Sequence, residues 1–181
     1  MVKNNVHVID EVKGLYKIIA LNPMRRTPNV AFDTIPVNAI PRIDSIHRVI
    51  HGSGAVSPAP MPNVDRPWYM HPFQDDNLLV VHGIRYIEIY TSKNGTVESF
   101  TVTPHLIKKN GKLIFEGPAM LSWPCNVFHR VQSCDKTGSV SLNFATHYDG
   151  FDSLSNFNIY DLDTDTGKYK VVREGKLDQP E

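Results

Sequence analysis

The fold is decided by residues 68–83, which read WYMHPFQDDNLLVVHG. One histidine, one amide and two adjacent carboxylates (His71, Gln74, Asp75 and Asp76) stand directly before a short apolar run that ends in a glycine. A short apolar run bounded by turn residues is typical of a buried β-strand. The segment therefore predicts polar, chemically active side chains at the start of a strand, where they can reach an enclosed site.

A second segment, residues 120–131 with the sequence MLSWPCNVFHRV, looks like the partner of the first. If residues 127–131 form a strand, the two-residue period places His129 on one face with Val127 and Val131. A histidine on an apolar strand face is either satisfied within the core or directed into an enclosed site. We expect His129 to meet His71 and one of the aspartates around one ion or one small molecule.

Short β-strands dominate the rest of the chain. Asn94-Gly95 and Asn110-Gly111 supply residues that tolerate the positive φ of tight hairpin turns. Many short strands with turn residues and no convincing helix predict an all-β barrel or sandwich. The predicted strands are 43–51, 68–73, 77–82, 84–91, 96–103, 112–116, 119–123, 127–132 and 139–148.

The clearest of these strands is residues 139–148, SVSLNFATHY. Val140, Leu142 and Phe144 share one face, so Tyr148 shares it too, whereas His147 points to the other side. Because the apolar face is expected to be the interior, this parity predicts that Tyr148 faces inward.

The two ends of the chain are predicted as extensions of one central domain. Residues up to 21 form either strands or one short helix broken near Gly14, and the prolines between 23 and 41 favour an extended segment. Residues 157–162 and 168–173 flank a turn and predict a terminal hairpin. The predicted division is 1–42 for the N-terminal segment, 43–150 for the barrel and 151–181 for the hairpin and tail.

Composition excludes several classes of function. The 181 residues include 19 basic and 19 acidic ones, so no net field favours nucleic acid. No apolar run approaches the roughly 20 residues that span a bilayer, and no leader segment is recognisable at the start. The two cysteines, Cys125 and Cys134, predict free thiols. We expect a cytoplasmic protein with no nucleic-acid or membrane partner.

The two segments resemble the paired motifs of the cupin superfamily, whose members are jelly-roll β-barrels. Residues 123–129, WPCNVFH, match the second motif, with Asn126 in place of the turn glycine. The first motif is matched incompletely, because Phe73 stands where a second histidine is expected and Asp75 or Asp76 replaces a glutamate. The resemblance implies a single cupin-type jelly-roll barrel with an N-terminal extension and a C-terminal β-hairpin, and cupins are often homodimers.

The resemblance implies a metal site first. Two neutral imidazoles and a carboxylate suit a divalent transition metal such as Zn, Fe, Mn or Ni. The predicted ligands are His71, Asp75 or Asp76, and His129, with Gln74 as a possible fourth. The main prediction is a metal-binding cupin, of a metal-dependent oxygenase or isomerase type, that binds a small oxygen-containing molecule inside the barrel.

Two alternatives stay open. The chain also has a weaker resemblance to one group of cupins, the dTDP-4-dehydrorhamnose 3,5-epimerases, which are sugar-nucleotide enzymes that work without metal and use a histidine base and a tyrosine acid. His71 and Tyr148 stand in similar places, and a histidine can take a proton from the carbon next to a ketone while a phenol returns one to the opposite face. Arg48, Arg66 and Arg85 are the candidates for a nucleotide pyrophosphate. The other alternative is a non-enzymatic cupin that holds or senses a ligand.

Overall fold

The computed structural model describes residues 6–180, so residues 1–5 and Glu181, the extreme ends of the two predicted extensions, lie outside the described residues. Short 3₁₀ helices at Val37–Ala39 and Gly175–Asp178 are the helical elements of this part of the chain, and none of its helices is long and apolar enough to cross a membrane. The strands are β1 (His7–Val12), β2 (Tyr16–Ala20), β3 (Asn22–Thr27), β4 (Val30–Thr34), β5 (Ser45–His51), β6 (Val56–Ser57), β7 (Trp68–Met70), β8 (Gln74–Gly83), β9 (Arg85–Tyr90), β10 (Glu98–Val102), β11 (Leu106–Lys109), β12 (Lys112–Glu116), β13 (Ala119–Trp123), β14 (Phe128–Ser133), β15 (Ser139–His147), β16 (Ile159–Leu162) and β17 (Tyr169–Arg173).

Two antiparallel sheets face each other across the core. The first sheet has six strands in the order β1-β2-β13-β8-β15-β5. The second runs β12-β11-β10-β9-β14-β7-β16-β17, with β6 paired to β14, and β3 and β4 form a separate hairpin. This arrangement confirms the prediction of an all-β, jelly-roll architecture. Because strands that are distant in sequence are neighbours in the sheets, the two motif segments are brought together: β13 pairs with β8, and β14 pairs with β7.

Strand alternation builds the core between the sheets. Leu78 and Val80 on β8 and Ile87 and Ile89 on β9 are buried and belong to one apolar cluster. Fully burying side chains of this size stabilises the fold by about 1.5–3 kcal/mol each. The rest of the cluster comprises Leu15, Tyr16, Ile18, Phe100, Val102, Ile107, Ala119, Leu121, Trp123, Val127 and Val131.

The N-terminal segment contributes strands and a cover. The structure decides between the two open interpretations of its first part, since β1 and β2 are strands that extend the six-stranded sheet beside β13. Farther along, Ile40 packs with Met120 and Phe144 in a second apolar cluster, on the face of the sheet that points away from the barrel. The segment therefore buries the outer face of β15. The division at residues 42 and 150 stays a prediction.

The C-terminal hairpin is part of the second sheet. Strand β16 pairs with β7, with Ile159 opposite Tyr69, and β17 pairs with β16. The ring of Tyr169 packs against Phe128, 5.0 Å between centroids. The hairpin predicted for residues 157–173 is confirmed and shields the outer side of β7 and β14.

Candidate active site

A cavity of about 230 Å³ lies between the sheets at the barrel end where the two motif segments meet. Its side chains come from both sheets and from the segments next to β7 and β16. They are His47, Val49, His51, Ser57, Tyr69, His71, Gln74, Asp76, Leu78, Arg85, Trp123, His129, Val131, Asn143 and Phe157. The polar and ionisable side chains that line the cavity therefore lie mostly on strands of the barrel.

Strand β8 resolves the ambiguity between the two aspartates. Gln74 and Asp76 are 1% and 3% exposed and line the cavity, whereas Asp75 points to the opposite face of the strand. There the carboxylate of Asp75 accepts hydrogen bonds from the backbone N–H of Cys125 and from the hydroxyl of Tyr148. Asp76 is thus the carboxylate of the cavity, as the two-residue period of a strand requires once Gln74 is inside.

Three of the predicted groups converge. One ligand atom from each of His71, Asp76 and His129 lies within 4.8 Å of the others, and all three side chains are buried. The imidazole rings of His71 and His129 are 4.7 Å apart between centroids. Nε2 of His71 lies 3.6 Å from Oδ2 of Asp76. The predicted meeting of His71, an aspartate and His129 is therefore present in the structure.

Backbone carbonyls determine which nitrogen of each histidine is basic. Nδ1 of His71 is 2.7 Å from the carbonyl oxygen of Asn156, and Nδ1 of His129 is 3.2 Å from that of Val127. A carbonyl oxygen only accepts, so each Nδ1 carries the proton and each Nε2 is left as the basic atom. Burial, reinforced by the neighbouring His71, lowers the pKa of His129 to about 4, so this ring is neutral at pH 7.

Amide side chains hold Asp76 in place. Its Oδ1 accepts hydrogen bonds from Nε2 of Gln74 (2.7 Å) and from Nδ2 of Asn143 (2.6 Å). Its Oδ2 is buried and has no hydrogen-bond partner among residues 6–180. The carboxylate is therefore oriented by one oxygen and presents the other to His71. Gln74 donates its amide N–H to Asp76, so the amide oxygen expected as a ligand is not aimed at the three converging groups.

Several residues in or beside the cavity were not predicted. Asn143 lies on the polar face of β15, and Asn156 follows the barrel strands in a loop; neither carries a sequence signal beyond its residue type. Tyr69 could have been found by counting back two residues from His71, because both line the cavity. Its ring lies 6.2 Å from that of His71 and 6.0 Å from that of His129. Burial raises the pKa of Tyr69, so its phenol is protonated at neutral pH.

Tyr148 lies outside the cavity, and the prediction of an inward orientation is wrong. The residue is 41% exposed, and its hydroxyl donates to Oδ2 of Asp75 at 2.7 Å, which raises the tyrosine pKa to about 12. The physical reason is that the apolar face of β15 is its outer face, where Phe144 packs under Ile40. The interior face of β15 is the polar one, and it includes Asn143.

Of the three predicted nucleotide-binding arginines, only Arg85 lines the cavity. Arg48 is exposed on β5. Arg66 lies on the outside of the second sheet, where it donates to Gln132 and Glu88. The three arginines do not form one pyrophosphate site.

No protein-family model matches the sequence, and no curated protein sequence matches it. Solved structures do match. The sugar 3,4-ketoisomerase QdtA from Thermoanaerobacterium thermosaccharolyticum, in complex with TDP, is 14% identical with a TM-score of 0.54, covering 78% of this chain and 85% of its own. A dTDP sugar isomerase from Desulfovibrio desulfuricans G20 is 12% identical with a TM-score of 0.56 (81% and 85% covered). A dTDP-4-dehydrorhamnose 3,5-epimerase from Sulfolobus tokodaii is 16% identical with a TM-score of 0.50 (81% and 77% covered).

These likenesses define the class of fold: the chain is a cupin-type jelly-roll barrel. That fold is shared by these sugar ketoisomerases, isomerases and epimerases. The resemblance predicted from the two motif segments is confirmed at the level of the fold.

The prediction of a metal-binding cupin holding Zn, Fe, Mn or Ni is wrong. The solved structures that the chain resembles are sugar isomerases and epimerases, which agree with the metal-free alternative and give no support to a metal-dependent oxygenase or isomerase. Of the five predicted ligands, Gln74 and Asp75 are hydrogen-bonded elsewhere. The remaining three, His71, Asp76 and His129, converge in the cavity.

Proposed function

We propose that this chain is a carbohydrate isomerase that moves a proton between the carbons of a keto sugar, with His71 as the base. The observation that carries the proposal is the buried pair in which Nε2 of His71 faces Oδ2 of Asp76 at 3.6 Å inside the cavity. Nδ1 of His71 is held by a carbonyl, so Nε2 is the atom that accepts a proton. Asp76 then stabilises the imidazolium that forms.

The proton transfer proceeds in balanced steps. Nε2 of His71 removes a proton from the carbon next to the carbonyl, and the electron pair of the C–H bond forms the carbon–carbon double bond of an enediolate. We assign Tyr69 as the group that donates a hydrogen bond to the enediolate oxygen, because its phenol is protonated and lines the same cavity. The hydroxyl on the carbon that lost its proton passes its own proton to the former carbonyl oxygen and becomes the new carbonyl, while the proton on His71 is delivered to the former carbonyl carbon.

The position of Tyr148 favours isomerisation over epimerisation. An epimerase needs an acid on the opposite face of the sugar from the base, and Tyr148, the residue predicted for this role, lies on the outer face of the sheet. A single base can return the proton to the face from which it came, which is sufficient for an isomerase. The catalytic role of Tyr148 stays a prediction.

The size of the cavity limits what it encloses. A volume of about 230 Å³ is below the ~300–1,000 Å³ of typical sites for drug-sized ligands. We therefore expect the cavity to enclose one sugar unit, and any nucleotide attached to that sugar to lie outside the cavity.

The predicted homodimer and the predicted cytoplasmic location stay predictions.

Solvent deuterium exchange tests the function. The protein is incubated in D₂O with free keto sugars and with TDP-linked 4-keto sugars, and incorporation at the carbon next to the carbonyl is followed by NMR. We expect incorporation with at least one sugar and a loss of about 10²-fold or more in His71→Asn, the usual size of a general-base contribution. His82→Asn, an exposed histidine on the same strand as Asp76, is the matched control and should exchange like the wild type.

Two outcomes would contradict the proposal. Binding of a keto sugar with neither exchange at any carbon nor formation of the isomeric keto sugar would favour the non-enzymatic, ligand-holding alternative. Exchange that persists unchanged in His71→Asn would show that another group is the base.

A further inference from the structure

The cavity contains one charged side chain that the proposed chemistry does not use. Arg85 begins β9 and is 2% exposed. The next inward residues on the strand, Ile87 and Ile89, are part of the apolar core. Charged side chains are almost never buried to this extent without a partner of opposite charge. The almost complete burial of Arg85 is therefore unusual for a charged side chain.

Within residues 6–180, Arg85 makes no ion pair. Its Nε donates to Oγ of Ser139 at 3.0 Å and its Nη2 to the carbonyl oxygen of Val49 at 3.2 Å. A guanidinium has five N–H donors, so these two bonds leave three without a partner in the described part of the chain. Burial lowers the pKa of Arg85 to about 10, which still leaves the group charged at neutral pH. The two bonds, to β15 and β5 of the six-stranded sheet, fix the orientation of the guanidinium without neutralising its charge.

The neighbouring groups do not compensate the charge. His51 lines the same part of the cavity, and burial together with the charge of Arg85 lowers its pKa to about 4, so it is neutral. The carboxylate of the cavity, Asp76, already accepts two amide hydrogen bonds and faces His71.

Arg85 lies at a different level of the barrel from the catalytic groups, because it is paired with Ser133 on β14, four residues beyond His129. At about 3.3 Å per residue, roughly 13 Å of strand separates these two levels of the barrel.

We propose that Arg85 binds a carboxylate of the ligand at the end of the cavity away from His71. A carboxylate carries one negative charge and two coplanar oxygens, which match one guanidinium in charge and in its forked geometry. A phosphate dianion would leave a second negative charge buried with no cation beside it. Leu78 and Val131 also line the cavity, as suits the carbon chain of a ligand.

This assignment narrows the substrate class. If the proposed function holds, the keto sugar is a sugar acid whose carboxylate binds Arg85 while its keto end reaches His71. The substrate class rests on the proposed function, whereas the binding of a carboxylate to Arg85 does not. The two claims can therefore fail separately.

The experiment compares ligands that differ in a single charge. Binding of D-gluconate, of the uncharged glucitol and of inorganic phosphate to the whole protein is measured by isothermal titration calorimetry. We expect gluconate to bind at least 10-fold more tightly than glucitol, because only gluconate forms charge-assisted hydrogen bonds with the guanidinium. Phosphate should not compete with it. Arg85→Met should abolish the preference, and Arg85→Lys should reduce it. Arg48→Gln, at an exposed arginine on β5, should retain it.

A measurement on the wild type covers the case in which the Arg85 variants fail to fold. The buried Nε–H of Arg85 should shift in a ¹⁵N-edited NMR spectrum on addition of gluconate and stay in place with glucitol. Equal binding of gluconate and glucitol, an unchanged preference in a folded Arg85→Met protein, or binding of phosphate in place of gluconate would overturn the proposal.

The His71→Asn variant separates the two proposals. Gluconate binding that depends on Arg85 and survives in His71→Asn supports the carboxylate site even if no keto sugar exchanges deuterium. Exchange on uncharged keto sugars, with no gluconate binding, would support the isomerase and overturn the carboxylate site.

Discussion

His71 and Asp76 face each other inside the barrel, with Nε2 of the imidazole 3.6 Å from Oδ2 of the carboxylate and both side chains almost completely buried. The two residues come from different elements: His71 follows β7 in the second sheet, and Asp76 lies on β8 in the first. Each is fixed on its far side, His71 by a backbone carbonyl and Asp76 by two amides. A proton taken up by His71 is therefore held next to an oriented negative charge.

This pairing predicts the effect of Asp76→Asn. The asparagine oxygen can still accept from Gln74 and Asn143, so we expect the protein to fold, but the imidazolium of His71 loses its stabilising charge. Deuterium exchange into a keto-sugar substrate should fall by about 10²-fold. Asp75→Asn is the matched control: its side chain lies on the opposite face of β8, so exchange should stay at the wild-type rate. Similar losses in the two variants would show that the carboxylates act through folding.

Two tyrosines distinguish the cavity from the outer surface. Tyr69 lines the cavity, whereas Tyr148 is hydrogen-bonded to Asp75 outside it. We expect Tyr69→Phe to lower kcat by about 10-fold or more, because it removes a hydrogen-bond donor to the enediolate, and Tyr148→Phe to leave kcat unchanged. Steady-state kinetics of both variants measure the difference. Loss of activity in Tyr148→Phe alone would restore the acid role predicted from the sequence.

Stability should fall as the pH drops below 6.5. Burial lowers the pKa of His129 from 6.5 to about 4, so in this window the unfolded chain binds a proton that the folded protein does not. The free energy of unfolding therefore decreases as the pH falls from 6.5 towards 4. At about 1.4 kcal/mol per pKa unit, the contribution of His129 is at most about 3 kcal/mol.

Urea unfolding between pH 7 and pH 5 measures this slope. His129→Gln should flatten it, because the titrating group is removed. His51, whose pKa is also lowered to about 4, contributes in the same direction, so a residual slope is expected. A slope as steep as that of the wild type would mean that His129 is not the group that titrates.

Gly83 should be intolerant of a side chain. Its φ is +72°, and a Cβ atom would lie 2.1 Å from the carbonyl oxygen of Gly138. Gly95 has the same φ but open space around its Cβ position. We expect Gly95→Ala to cost about 1 kcal/mol, the cost of the left-handed conformation alone, and Gly83→Ala to cost at least ~2 kcal/mol more, since backbone must move. Denaturant unfolding of the pair measures the difference, and equal costs would contradict the close approach.

Much of the barrel could be predicted from local pattern. The strands at 112–116 and 119–123 match the predicted bounds, the strand at 128–133 is shifted by one residue from the predicted 127–132, and the strand at 139–147 ends one residue before the predicted end. Alternation within a strand depends only on backbone geometry, so it correctly placed His129 on a buried face with two valines. The β11 strand, Leu106–Lys109, was missed because four residues carry too little alternation to be recognised.

The candidate site was harder to predict than the strands. Alternation does not say which of the two faces is the interior, and on β15 the apolar face lies outside, under residues of the N-terminal segment. The inward placement of Tyr148 was therefore wrong, and Asn143 was overlooked. Arg85 was named only as one of three arginines, because the burial that makes it distinctive arises from strands far away in the sequence.

The resemblance to cupins led to the expectation that the two motif segments meet. The amino-acid order by itself was sufficient to define an all-β chain and to place His71 and His129, two of the four histidines that line the cavity, in or next to short apolar strands. These conclusions depend on interactions between near neighbours, which a periodic pattern records. The tertiary structure alone decided that Asp76 and not Asp75 belongs to the cavity, that Tyr148 does not, and that Arg85 is buried without a carboxylate partner in residues 6–180. Those facts depend on which surfaces the packing of the two sheets and the N-terminal segment encloses, and no local pattern records that choice.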